Sequence, residues 1–375
     1  MRLIAYLALV ALIGLLAPSS YTVADAPIGV EEMGRLDIPA KKVVLANQLL
    51  YAIDGACTAV GTPPEYACRG SLSVLQVLRE QKPVVLGQVR TDAAAYVDAD
   101  VSSEYAYVLE DRREVYGAPP MFTLAVMNIS EPATITPVTE LQLPGPQKYE
   151  RVEAASGHLY VSSSAGINVY RLTERGVPVE AGQIDIQPTA IDVTDSVLYV
   201  TGQRENLSAL FIFSVSDPGQ PEELGVVPGN YLGVSVFGPQ IVLEEEYTCT
   251  DADNITPYRC GEVLVELDAT DLVDPVTVYR GLGGEGIYIS SVARSGGFLL
   301  VGTDNLVRVL DLNNAARAEV AQYVPEFGEQ QFGSVTDLEA EGGSIFAVAR
   351  IDNHSSIRIL RVGPMSVVYL PMIRR

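Results

Sequence analysis

Apolar residues along this chain fall in short runs of Val, Ile, Leu and Tyr, each bounded by Gly, Pro, Asp or Ser. Runs of that length with those boundaries predict β-strands, and no stretch sustains a helical period. The runs themselves repeat. An apolar strand, a polar turn and a second strand appear as LSVLQVLREQKPVVLGQV from Leu72, LAVMNISEPATITPV from Leu124 and INVYRLTERGVPVEAGQI from Ile167. They return as LFIFSVSDPGQPEELGVV from Leu210, LVELDATDLVDPVTV from Leu264, VRVLDLNNAARAEV from Val307 and IRILRVGP from Ile357.

A further strand pair with a tight turn precedes each copy, as in RVEAASGHLYVSS from Arg151 and AIDVTDSVLYVTG from Ala190. Its second strand carries one large residue at a matching place: Tyr51, Tyr107, Tyr160, Tyr199, Val242, Leu300 or Phe346. Spacings of 39 to 58 residues between them suit four short strands plus loops. Four-stranded sheets repeated radially make an all-β, seven-bladed β-propeller. The seventh copy stops at Gly363-Pro364 without a fourth strand, while EMGRLDI from Glu32 matches EAGQIDI from Glu180, the fourth strand of the third unit. Residues Gly34 to Ile38 are therefore predicted to complete the blade begun near Ser334, so that an N-terminal strand closes the ring and protects its edges.

The phrases LFIFSVSDPGQPEELG and LAVMNISEPATI resemble the LVIVD repeat, over about residues 32 to 363. Gln76 and Arg171 replace the repeat's Asp in the first and third copies, and the sixth lacks its Pro. The resemblance implies a bacterial or archaeal surface-associated propeller and says little about activity. The end of the chain, VVYLPMIRR from Val367, resembles the tails of exported proteins of filamentous Chloroflexi-type bacteria; a final strand packed on the ring is the alternative.

Composition adds an address. Arg2, the apolar stretch Leu3 to Ala17 and Ala24-Asp25-Ala26 read as a signal peptide over residues 1–26, with cleavage after Ala24 because Pro27 would follow a cut at Ala26. The apolar stretch is shorter than the ~20 residues a spanning helix needs, and an uncleaved anchor is the lesser reading. The propeller is assigned to residues 27–364 and a tail to 365–375, with no membrane span in the mature chain. The formal charge of −22 disfavours nucleic acid and anionic membranes, and suits an extracellular or cell-surface monomer kept apart by self-repulsion.

Four cysteines form two pairs of identical spacing, Cys57 with Cys68 and Cys249 with Cys260. Each brackets a ten-residue insertion between the second and third strands of a unit, so local disulfides are expected over a zinc site. A third long loop, EDRREVYGAPPMF from Glu110, has the same place in the second unit. These loops share one face of a propeller. Long loops on a rigid scaffold concentrate binding residues, which singles out Tyr66, Arg112, Arg113, Tyr116, Asp251, Asp253, Asn254 and Tyr258. Shielding of blade edges is the bland alternative.

Seven residues before the large residue of each second strand lies the innermost strand, where four units place Asp100, Glu153, Asp192 and Glu339. These oxygens could hold Ca²⁺ near the axis. Two residues earlier, Lys42, Asp98, Arg151 and Asp337 offer partners for an ion-pair lattice instead, the favoured account. G-x-S-x-G, H-E-x-x-H and phosphate-loop motifs are missing, and G-x-G-x-x-G at Gly281 to Gly286 precedes a strand-like run, which favours an inter-blade turn over a dinucleotide site. His158 and His354 sit in polar turns and read as surface residues. The sequence thus favours a non-catalytic module that binds a protein or glycan at the cell surface without a cofactor. The alternative is a metal-dependent propeller hydrolase or lactonase using the acidic channel positions.

Overall fold

Unbroken apolar runs suit strands buried on both faces, and that is how the second and third strands of every repeat are used. A computed structural model describes residues 28–61, 65–77, 83–113, 119–250, 257–326, 333–341, 343–351 and 354–364. The expected signal peptide and tail lie outside the described residues. Seven four-stranded antiparallel sheets form the blades of a propeller. Their innermost strands are Lys42–Ala46, Ala95–Ser102, Tyr149–Ala155, Gln187–Thr194, Tyr231–Phe237, Ile289–Ser295 and Ser334–Glu341, for blades 1 to 7 in that order. Blades 1 to 6 then run outward by hairpins through a second, a third and an outer strand, and blade 7 does so as far as its third.

Tyr51, Tyr107, Tyr160, Tyr199, Val242, Leu300 and Phe346 all lie in second strands, and each is buried in the cluster shared with the following blade. Neighbours one position along, such as Leu50 and Ala52, pack against the preceding blade. Seven apolar clusters therefore correspond to seven interfaces. The last of them closes the ring: the N-terminal strand Ile28–Leu36 pairs antiparallel with His354–Pro364 and becomes the outer strand of blade 7. The expected closure is present, with a strand that starts six residues before Gly34 and ends at Leu36. Its partner runs through Gly363 to Pro364 instead of stopping before them.

Two features of the repeat acquire a physical meaning. The Asp or Asn that ends the third strand turns the chain by accepting the backbone N–H two residues on: Asn128 from Ser130, Asp268 from Thr270 and Asp311 from Asn313, each at 2.9 Å. The register also slips by one residue at the same place in every outer strand, at Met33, Leu86, Val138, Ala181, Leu224, Val278 and Val320. Bulges of this kind twist an open edge away from other chains. In blades 1 and 4 a glycine follows the bulge because the next blade's turn crosses directly over it. A Cβ on Gly87 would lie 2.0 Å from the Pro132 carbonyl oxygen, and one on Gly225 2.3 Å from that of Leu272.

Gly87→Ala should accordingly destabilise the ring by about 1–3 kcal/mol, the range for overpacking a tight contact. Gly219→Ala, whose Cβ would meet nothing closer than 3.4 Å, should be near neutral in the same denaturant titration.

Candidate functional site

The inner strands face an axial channel of about 740 Å³. Asp100, Glu153, Asp192 and Glu339 line it at equivalent depth, each directly opposite the large residue of its blade's second strand. One layer away, the Lys42 ammonium of blade 1 lies 2.6 Å from the buried Asp98 carboxylate of blade 2. Burial works against the Lys42 charge, but Asp98 and Glu153 more than offset it and hold the amine charged.

The carboxylates also answer a backbone demand. An innermost strand has one open edge, and its N–H groups there need acceptors. Val152 N–H donates to Asp98 at 2.9 Å, Ala154 N–H to Asp100 at 2.7 Å, Val236 N–H to Asp192 at 2.7 Å and Val43 N–H to Asp337 at 2.7 Å. In every case donor and acceptor belong to adjacent blades. Asp100 accepts Val101 N–H as well. Two of the four cation candidates are thus committed to joining blades, whereas Glu153 and Glu339 make no hydrogen bond or ion pair with another described residue. Among the described residues, no three His, Cys, Asp or Glu side chains converge closely enough to hold one ion.

Sequence reasoning missed Glu244 and Glu262, which sit inside the apolar runs of blade 5. Glu262 is buried and accepts Ile289 N–H of blade 6 at 2.6 Å. Glu244 faces the channel beside Gly233. At the place of Glu244 the other repeats carry Ile53, Leu109, Ser162, Thr201, Gly302 and Val348, so a carboxylate in this repeat alone was the available signal. Burial is the main cause of raised carboxyl pKa values here. It lifts Asp100 and Asp192 to about 6, and Glu244 and Glu339 to about 8 with help from Glu262 and Asp337 respectively. Burial lifts Glu153 well above its ordinary range.

Both expected disulfides are formed, Cys57 to Cys68 and Cys249 to Cys260. The insertions around them are less loop-like than the sequence suggested. In blade 1 the second and third strands continue as Leu49–Val60 and Glu65–Gln76, a β-ribbon in which Cys57 stands directly opposite Cys68. In blade 5 the ribbon is formed by Gln240–Thr250 and Pro257–Asp268. The turn expected at Gly281 to Gly286 is likewise mostly strand, since Val276–Glu285 pairs with Gly261–Asp268.

Tyr66, Arg112 and Arg113 come together where the blade 1 ribbon meets blade 2. The Arg113 guanidinium lies 5.7 Å from the centre of the Tyr66 ring and forms an ion pair with Asp111 at 2.7 Å. Arg112 bridges Glu110 at 2.6 Å and Glu140 at 2.8 Å, which leaves it a structural part of blade 2. Tyr258, half exposed, lies on the blade 5 ribbon, so blades 3 and 4 separate it from the first group. Tyr116, Asp251, Asp253 and Asn254 lie outside the described residues. His158 and His354, expected in turns, each open a strand instead, and His158 Nδ1 lies 2.9 Å from the Ser156 carbonyl oxygen.

No family model matches the chain, and no curated protein matches it. Solved structures do match, at low identity. A chain of the Saccharomyces cerevisiae assembly of Dbp5 bound to Nup159, Gle1, IP6 and ADP is similar with a TM-score of 0.53 and 10% identity, covering 90% of this chain and 96% of that one. Chaetomium thermophilum Raptor gives 0.62 and 9%, covering 90% and 30%. A functionally unknown protein from Desulfotomaculum acetoxidans gives 0.51 and 13%, covering 80% and 99%. At these identities the likeness is one of fold.

The raised carboxyl values fix a pH dependence. A carboxyl group whose folded pKa exceeds its unfolded one contributes stability below the unfolded value, near 4, that is lost as pH rises through the folded value. Asp100 and Asp192 act up to about pH 6, and Glu244 and Glu339 up to about pH 8. Unfolding free energy, read by denaturant titration, should therefore be higher at pH 5 than at pH 8. Glu339→Gln should shrink the difference by about 1–3 kcal/mol after allowance for solvent in the channel.

Proposed function

We propose that this protein is an exported, non-catalytic binding scaffold that holds a protein partner at the cell surface through its two ribbons. The observation that carries the reading is the pair of disulfide-crossed ribbons standing out from a rigid ring. A crosslink over such a span stabilises by about 3 kcal/mol in the chain-entropy model, a large investment for a segment that packs no core. The blade 5 ribbon presents aromatic side chains to solvent, Tyr258 at 50% exposed and Tyr247 at 40%, and the blade 1 ribbon carries the partly buried Tyr66. Exposed tyrosine on a rigid support is a common interface anchor.

Disulfides support the extracellular address, as does the signal-like segment. No described helix is long and apolar enough to cross a membrane. The resemblance to LVIVD repeats supports a surface role, and the net charge of −22 supports a monomer. Within the neighbouring structures, Dbp5 is bound to Nup159 and Gle1.

The test combines Tyr66→Ala with Tyr258→Ala in the full chain. The double variant should keep its melting temperature, while its retention on intact source cells falls about tenfold or more. Protease treatment of the cells beforehand should abolish retention of the unmodified protein. Undiminished retention of the double variant would overturn the ribbon reading.

A second reading, a calcium-dependent enzyme, draws on Glu153 and Glu339, which have no partner among the described residues yet face the channel. An ion would have to draw them together with Asp100 and Asp192. Under this reading Ca²⁺ raises the melting temperature, and Glu153→Gln with Glu339→Gln removes the rise. An equal melting temperature in Ca²⁺ and in chelator sinks it.

A further inference from the structure

A second cavity, of about 500 Å³, lies between blades 3 and 4 where the outer strand of one passes into the inner strand of the next. Its size suits a small ligand of two or three sugar units. Three glutamines surround the crossing: Gln183 is the next-to-last residue of the outer strand of blade 3, Gln187 opens the inner strand of blade 4, and Gln203 stands opposite Gln187 in the ladder. Asp185 and Glu205 complete the polar rim. None of these five side chains makes a hydrogen bond or ion pair with another described residue.

The surfaces beneath them are apolar. Ile184, Ile186 and Phe213 line the cavity and are at most 6% exposed. Apolar floor and exposed polar rim together match a ligand that is itself amphipathic. A glutamine amide both donates and accepts, as a sugar hydroxyl does, and the C–H faces of a pyranose suit isoleucine and phenylalanine.

Charge and topology narrow the class. Arg204, the cation of the lining, is already neutralised: it lies 2.5 Å from Glu223 and 4.6 Å above the Phe211 ring. Asp185 and Glu205 then leave the rim acidic, which repels phosphates, uronates and sulfated chains. Sheet pairing takes one side of each strand here, Gln187 with Gln203 and Ile184 with Ile167, and the open edge of blade 3 is bulged at Ala181, which disfavours an added peptide strand.

We propose that the cleft between blades 3 and 4 is a binding site for a neutral oligosaccharide, separate from the protein-binding ribbons on blades 1 and 5.

Calorimetric titration of the full chain with maltotriose, cellotriose, chitotriose and mannotriose, and with trigalacturonate as the anionic control, tests this. Saturable binding of at least one neutral trisaccharide is expected, with none of the uronate. Gln187→Ala with Gln203→Ala should weaken it about tenfold at unchanged melting temperature, the loss of roughly two hydrogen bonds. Tyr66→Ala with Tyr258→Ala should leave it unchanged, so the ribbon reading and this one fail separately. The proposal is overturned if no neutral trisaccharide binds, if binding survives the glutamine substitutions, or if the uronate binds as well.

Discussion

Each blade is apolar on both faces, and everything else in this structure follows from that. A sheet buried on one side can stop at solvent; a sheet buried on both needs a neighbour on each side. Repeating the unit moves the exposed face along without removing it. Closing the ring removes it, which is why the first strand of the described chain must reach back and finish the last blade. Charged side chains reinforce that closure. Arg358, buried in the third strand of blade 7, holds Glu32 of the N-terminal strand at 3.1 Å, and Tyr323 of blade 6 donates to the same carboxylate.

The centre of the ring faces the opposite problem. Seven inner edges converge on a channel, each with backbone N–H groups and no further strand to accept them. Aspartates at recurring positions solve this from the adjacent blade. They serve the fold before any ligand, and their carboxyl groups are lifted toward neutral pH by the same enclosure. A similar economy joins blades 5 and 6 farther out, where Arg317 forms a two-pronged contact with the buried Glu266 at 2.6 and 2.7 Å. Acidic residues in this chain thus divide into those that hold blades together and those, such as Asp185 and Glu205, that remain open to solvent.

The ribbons and the cleft between blades 3 and 4 use the ring in different ways. The ribbons lengthen two hairpins beyond the common strand length and stiffen them covalently. The cleft arises where one blade hands over to the next, so its rim draws on residues from two sheets. A rigid ring can carry both because neither site contributes to the seven apolar interfaces, apart from the isoleucines and phenylalanine that floor the cleft.

Strand positions, blade number and the closing strand could be read from the chain because they depend on local periodicity. Apolar runs, turn residues and a repeated phrase carry that information whatever their partners. The disulfide pairs were legible for the same reason, two cysteines being bracketed alike in two repeats. Ribbons looked like loops, since no apolar alternation marks CTAVGTPPEYAC as strand. Arg112 looked like a free contact because its partners, Glu110 and Glu140, meet it only after strands pair. The cleft gave no signal at all: Gln183, Gln187 and Gln203 are ordinary polar residues one by one. What the sequence determined by itself was the repeating unit and its closure. Which polar side chains are consumed and which stay open was decided only by the tertiary structure, because hydrogen-bond partners come from neighbouring blades and their distance in space is not written in their distance along the chain.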